Sequence, residues 1–196
     1  MVAPAVHSAS QIRYIAPESP INTHAPLMSI AQQTMATVAG AQSAYSGSYP
    51  NSSWDARSMT ATVRADLDGF TGTYRGDVRI GFRAIEGPFT PDSEPATVAA
   101  AATSGKNPPV ESPAQELFAR AAAKTMARLA GAQAAGQATY QLTSMRGDST
   151  GVSGTVRVDL TGFTGTYRGE VAVRLEKVSA LFKPDPEPAA DAFERV

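Results

Sequence analysis

The chain contains no cysteine. That excludes disulfide frameworks, thiolate metal sites, iron–sulfur clusters and cysteine nucleophiles. Large apolar residues are also scarce: Leu, Ile, Val and Phe together supply 35 of 196 residues, no more than the 35 alanines. This share is below that of a typical packed domain, although a net charge of −1 lacks the self-repulsion that accompanies disorder. One or two small cores joined by core-poor segments are expected. No stretch approaches the roughly 18 apolar residues of a membrane helix, the longest apolar run being the Ala tract Ala99–Ala102 with Val98 before it. The N-terminus lacks the charged start and Leu-rich segment of a signal peptide, so a cytoplasmic location, or assembly into a particle such as a virion, is expected. With 18 acidic and 17 basic residues, no global field attracts nucleic acid or a membrane surface, and neither partner is expected.

What the sequence does contain is an internal repeat. Thr62–Val78 (TVRADLDGFTGTYRGDV) recurs as Thr155–Val171 (TVRVDLTGFTGTYRGEV), matching at fourteen of seventeen positions with an offset of 93. Upstream, Ala39-Gly40-Ala41-Gln42 recurs as Ala130-Gly131-Ala132-Gln133 with an offset of 91. A loop between the two blocks must therefore differ by two residues.

Each unit opens on a helical period. Leu27, Ile30, Ala31, Thr34, Met35 and Val38 form one stripe, matched by Phe118, Ala121, Ala122, Thr125, Met126 and Leu129. Ser112-Pro113-Ala114-Gln115 is a helix start, and Gly40 and Gly131 mark the helix ends. The period then changes to two. Pairing Gly69 with Gly72 sets Leu67 against Tyr74, Ala65 against Gly76 and Val63 against Val78 on one face. On the other face it sets Asp66 against Arg75 and Arg64 against Asp77, with Asp159–Arg168 and Arg157–Glu170 in the second copy. A third strand is expected at Gln137–Met145 and at its counterpart Ser43–Tyr49, followed by loops at Pro50–Arg57 and Arg146–Ser153.

The expected fold is α+β: a tandem duplication of a helix followed by an antiparallel β-meander (α-β-β-β). An extended N-terminal arm (1–24) precedes the first repeat (25–87). A Pro/Ala-rich linker (88–112) leads to the second repeat (113–182) and an acidic, Pro-rich tail (183–196). Gln11–Ala16 (QIRYIA) is expected to form a strand only by docking on another surface. A helix followed by a meander resembles the shape of cystatin-like α+β units, but no motif accompanies that likeness, so it implies no activity.

Candidate chemistry is thin. The only histidines, His7 and His24, fall in the arm, so no catalytic base or metal ligand is expected from them. Asp66-Leu67-Asp68-Gly69 lacks the acidic spacing of a calcium loop, and Gly69-Phe70-Thr71-Gly72 leads into a strand rather than a phosphate-binding helix. Arg75-Gly76-Asp77, Arg146-Gly147-Asp148 and the acceptor-like Asn51-Ser52-Ser53 are read as coincidences. Neither a catalytic site, a cofactor nor a metal is expected.

The candidate interaction residues are Phe70 and Phe163, Trp54, and the basic stripe Arg120, Lys124 and Arg128. Each Phe puts an apolar ring at a hairpin tip, either folded over the sheet edge or free to enter a partner's pocket. Trp54 is expected in a loop, as a core cover or a contact, and the stripe as a solvated face or the footprint of an acidic partner. Together these features favour a non-catalytic structural or assembly protein, a homo-oligomer or a component of a larger particle such as a virion or tail. The alternative is a small ligand-binding or inhibitory module with a helix–sheet pocket or a hairpin-tip wedge.

Overall fold

A computed structural model describes residues 21–93 and 112–186, together with the backbone of Arg13–Tyr14. The first half contains α1 (His24–Ala39), α2 (Ala41–Ser46), β2 (Ser52–Asp55), β3 (Thr60–Gly69) and β4 (Gly72–Pro91). The second contains α3 (Pro113–Ala130), α4 (Ala132–Ala135), β5 (Thr139–Asp148), β6 (Gly151–Gly162) and β7 (Gly165–Pro184). β1 (Arg13–Tyr14) precedes both. The fold is α+β, with more sheet than helix.

All the strands belong to one sheet in the order β1-β5-β6-β7-β4-β3-β2. β2 to β7 are antiparallel, and β1 lies parallel to β5. The hairpin registers are those expected: Gly69 faces Gly72, Leu67 faces Tyr74 and Val63 faces Val78. In the second half Leu160 faces Tyr167 and Val156 faces Val171. Period-two alternation and the Gly-Phe-Thr-Gly turn specify this pairing, because a one-residue slip would turn every apolar side chain to the charged face.

The two long strands join the halves. β4 and β7 pair along most of their length, from Gly76↔Pro184 to Pro91↔Gly169. At the centre of this ladder Arg83 faces Glu176. These two residues are separated by 93, the same offset that separates the repeated sequence segments. Each strand therefore runs across into the other half. Gly76 and Gly169 mark the crossing points: a Cβ on Gly76 would collide with the Lys183 carbonyl oxygen, and one on Gly169 with that of Thr90.

One face of the sheet carries the helices. Leu27, Ile30 and Met35 of α1, with Phe118 and Met126 of α3, are fully buried against Val63, Val78, Ile80, Val156, Val158, Val171 and Leu175. At roughly 1.5–3 kcal/mol for each large side chain, this shared core is the main driving force for folding. Ser112 caps α3 by accepting from the Gln115 amide (3.3 Å), with Pro113 in the first turn. Asn22 serves α1, its Oδ1 accepting from the His24 (3.0 Å) and Ala25 (3.3 Å) amides. Val38 and Leu129 close the expected stripes but are 41% and 46% exposed.

Several boundaries differ from the sequence expectation. Ser43–Tyr49 is not a strand: after Gly40 the Ala-containing AQSAYS restarts a helix, α2. Tyr49 is buried as a tether, its hydroxyl donating to Ala44 O (2.8 Å), as Tyr140 does to Ala135 O (2.9 Å). The third strand, β2, lies inside the segment expected as the loop Pro50–Arg57. β5 likewise runs to Asp148, leaving a two-residue turn at Ser149–Thr150 where a loop to Ser153 was expected. The two-residue length difference falls in these hairpins, since Asp55↔Thr60 encloses four residues and Arg146↔Ser153 six.

β4 and β7 also extend past residues 87 and 182, into the expected linker and tail, because the partner strand supplies their ladder. His24 belongs to α1 rather than to an arm. Within Gln11–Ala16, Arg13–Tyr14 docks on β5 of its own chain. His7, the remainder of the arm, residues 94–111 and residues 187–196 lie outside the described residues.

Candidate functional site

The β3–β4 and β6–β7 hairpins hold Phe70 and Phe163 at equivalent tips. Each residue is largely exposed, at 77% and 78%. Neither ring floats free. The helix corner Gly40 has φ +99° and Gly131 φ +97°, a region that glycine enters without steric cost. A Cβ at either corner would lie 3.0 Å from the ring Cδ2 of Phe70 or Phe163. The chain is tied there as well: the Phe70 amide donates to Ala39 O and the Phe163 amide to Ala130 O, both at 3.4 Å. Each ring thus rests one edge on a glycine corner and turns the remainder outward, combining the two arrangements expected from sequence. The Thr71 and Tyr74 hydroxyls are hydrogen-bonded to one another beside the first tip, and Tyr167 Oη donates to Leu129 O (3.3 Å) beside the second.

The sheet face opposite the helices is charged and internally paired. Arg75 meets Asp66 at 3.0 Å and Arg168 meets Asp159 at 3.1 Å, as the register requires. Arg64 and Arg157 behave differently. Arg64 lies 3.8 Å from Asp77 but makes a two-pronged contact with Asp185, at 2.6 and 2.5 Å. Arg157 makes the same fork with Asp92 rather than Glu170. These are crossing clamps, in which the residue after each long strand grips an arginine of the other half. Hydrogen bonding to Asp185 and Asp92 raises both guanidinium pKa values and lowers those of the two carboxyls. Asp148 is lowered to about 2, chiefly by the side chain and amide of Thr150 and then by Arg174.

The other candidate residues are placed as follows. Trp54 lies on β2, not in a loop, and is only 9% exposed, stacked on Phe82 with ring centroids 5.5 Å apart. It covers the core. Of the basic stripe, Arg120 pairs with Glu116 one turn earlier and Arg128 with Glu86 of β4 at 2.7 Å. Lys124 is exposed and has no ion pair among the described residues. Of the three, only Arg128 ties α3 to the sheet. His24 Nδ1 lies 3.0 Å from Ser52 Oγ, a local helix-to-strand contact. Among the described residues no three His, Asp or Glu side chains converge as a metal site requires, and no helix is long and apolar enough to cross a membrane.

The described residues form several surface concavities. One of about 490 Å³ lies over Ile85, Ser144, Arg146, Ser153 and Arg174, and a smaller one of about 240 Å³ beside Phe163. A third, about 630 Å³, runs between α1 and the last part of β7, lined by Thr37, Val38, Val178 and Leu181 among others. The helix–sheet pocket expected as an alternative named no lining residues, because this groove depends on which strands flank β7. Comparison with known proteins finds no matching family model, no similar curated protein and no similar solved structure.

Proposed function

We propose that this protein is a non-catalytic structural or assembly component. In this reading it is a tandem duplication of one helix-and-meander unit that packs, through its repeats and arms, into a larger multi-subunit particle such as a virion or tail. The observation that carries the reading is the pair of Phe tips. Two equivalent hairpins present the same aromatic ring, more than three-quarters exposed and seated on a glycine corner. An isolated surface apolar residue needs no explanation. Two at matching places, each held by its backbone, suit insertion into a neighbouring subunit, where aromatic anchors contribute most of the contact energy.

Light scattering and negative-stain imaging of the purified chain test this. Concentration-dependent association is expected, and Phe70→Ser with Phe163→Ser should weaken it at least about tenfold while leaving thermal melting nearly unchanged. A chain that stays monomeric at every concentration, with no partner, would overturn the reading.

A further inference from the structure

β7 is flanked on both sides only as far as Lys177. β6 pairs with it up to Glu176, and the Lys177 amide donates to Thr150 O at 2.9 Å. From Ser179 to Pro184 its ladder partner is β4 alone, with Val178 standing in a bulge of that ladder, so its second edge is open among the described residues. The equivalent stretch of β4, ending at Pro91, is open in the same sense, but it is closed off in three ways that β7 lacks. Pro88 interrupts its donor row where β7 has Leu181. Arg128 of α3 reaches Glu86, whereas α1 and β7 have Thr37 and Ser179 at these places. Thr125 of α3 donates to Gly87 O (3.5 Å), whereas its counterpart Thr34 donates back to Ile30 O of its own helix (2.9 Å).

Proline and inward-facing charge are the usual means by which proteins block a sheet edge against added strands. The β4 edge carries both in its middle, whereas the β7 stretch keeps proline and lysine only at its ends, at Lys177, Lys183 and Pro184. The open edge faces the groove of about 630 Å³ beside α1. It displays Val178 and Leu181 at 58% and 71% exposure and is bracketed by Lys177 and Lys183, which make no ion pair among the described residues. We propose that this edge accepts an extended segment of a partner protein as an added strand, with apolar side chains at alternate positions and carboxylates at its ends. Strand addition draws affinity from main-chain hydrogen bonds and specificity from the side-chain pockets. A second copy fits less well. Antiparallel self-pairing centred on Ala180 would set Lys177 against the other copy's Lys183, and like charges directly opposed are unfavourable.

The inference deepens the assembly reading and rests on it for the existence of a protein partner. Its probe is a fluorescent, acetylated heptapeptide of sequence Glu-Val-Thr-Val-Thr-Val-Glu, titrated against the full chain. Saturable binding is expected, with added hydrogen-exchange protection at the amides of Val178–Phe182. The same peptide with lysine ends should bind at least about tenfold more weakly. Thr37→Arg with Ser179→Glu, which copies the Arg128–Glu86 closure into the open groove, should weaken binding about tenfold with the melting temperature preserved. Should that variant not fold, Lys177→Glu with Lys183→Glu is expected to shift preference to the lysine-ended peptide.

No saturable binding by the wild-type chain, or equal binding by the closed variant, overturns the proposal. So does a dimer that Thr37→Arg with Ser179→Glu dissolves, since the occupant is then a second copy. Loss of protection at Val178–Phe182 on deleting residues 187–196 overturns it equally, since the occupant is then the chain's own tail. Peptide binding by a chain that never associates refutes the Phe tips alone. Association without peptide binding refutes the edge alone.

Discussion

Asp148 shows how one exposed side chain can hold a turn. Its Oδ1 accepts from the Thr150 amide (2.7 Å), the Thr150 hydroxyl (2.5 Å) and the Gly151 amide (3.0 Å), which closes the β5–β6 hairpin. Asp55 does the same for the β2–β3 hairpin through the Arg57 and Ser58 amides, at 2.9 and 3.3 Å. Both carboxyl pKa values lie below the ordinary value, as do those of Asp92 and Asp185. A carboxyl with a depressed folded pKa contributes stability that is fully present above its unfolded pKa near 4 and is lost as pH falls through the folded value. For Asp148 that window extends from about pH 4 down to about 2. The melting temperature of the wild-type chain should therefore fall steeply across this window. Asp148→Ala should start lower at neutral pH and fall less steeply, measured by circular dichroism from pH 2 to 6; parallel curves would refute the assignment.

At the scale of elements, the exchange of strand ends explains residues whose chemistry looked unassigned. Arg75-Gly76-Asp77 spells a recognition tripeptide, yet its glycine is required because the β7 backbone passes where a Cβ would stand. Gly169 has the same role against β4. Gly76→Ala and Gly169→Ala should each cost about 1–3 kcal/mol or more, because the obstacle is backbone that cannot rotate away. Urea unfolding followed through the single Trp54 reads this directly, and a loss below about 0.5 kcal/mol would show that the crossing relaxes freely. The arginine forks belong to the same crossing. Asp66 with Arg75 and Asp159 with Arg168 are paired within one hairpin, as the register requires. Arg64 and Arg157 face Asp77 and Glu170 in the same registers, but their stronger partners, Asp185 and Asp92, are 121 and 65 residues away along the chain.

For the molecule as a whole, the opposed Arg83 and Glu176 favour pairing between the two halves over pairing of either half with itself. If the first half paired with itself through β4, Arg83 would face Arg83; the second half would set Glu176 against Glu176. The joined chain places opposite charges there instead. Residues 1–93 and 112–196 expressed separately should each be largely unfolded or weakly self-associated, since each lacks the strand that completes its sheet. Mixing them should restore β-sheet circular dichroism and a one-to-one complex by light scattering. A stable, folded monomer from either fragment would show that the shared ladder is dispensable.

Much of this architecture was decided locally. Helix faces follow from a 3.6-residue period, hairpins from a two-residue period, and their register from a turn whose flanking charges and apolar groups match in only one alignment. These signals act over a few residues, so the sequence alone carries them, and it also places Phe70 and Phe163 at hairpin tips. The alternation fades in Ile85–Pro91 and Val178–Pro184, where the backbone is strand because another half of the molecule offers it a ladder. The β4–β7 pairing, the crossing forks, the burial of Trp54 and the open edge of β7 were decided only by tertiary structure. The physical reason is that a hydrogen-bonded ladder is satisfied by any backbone, so its partner is selected by which halves close one core together, and no short stretch of sequence records that choice.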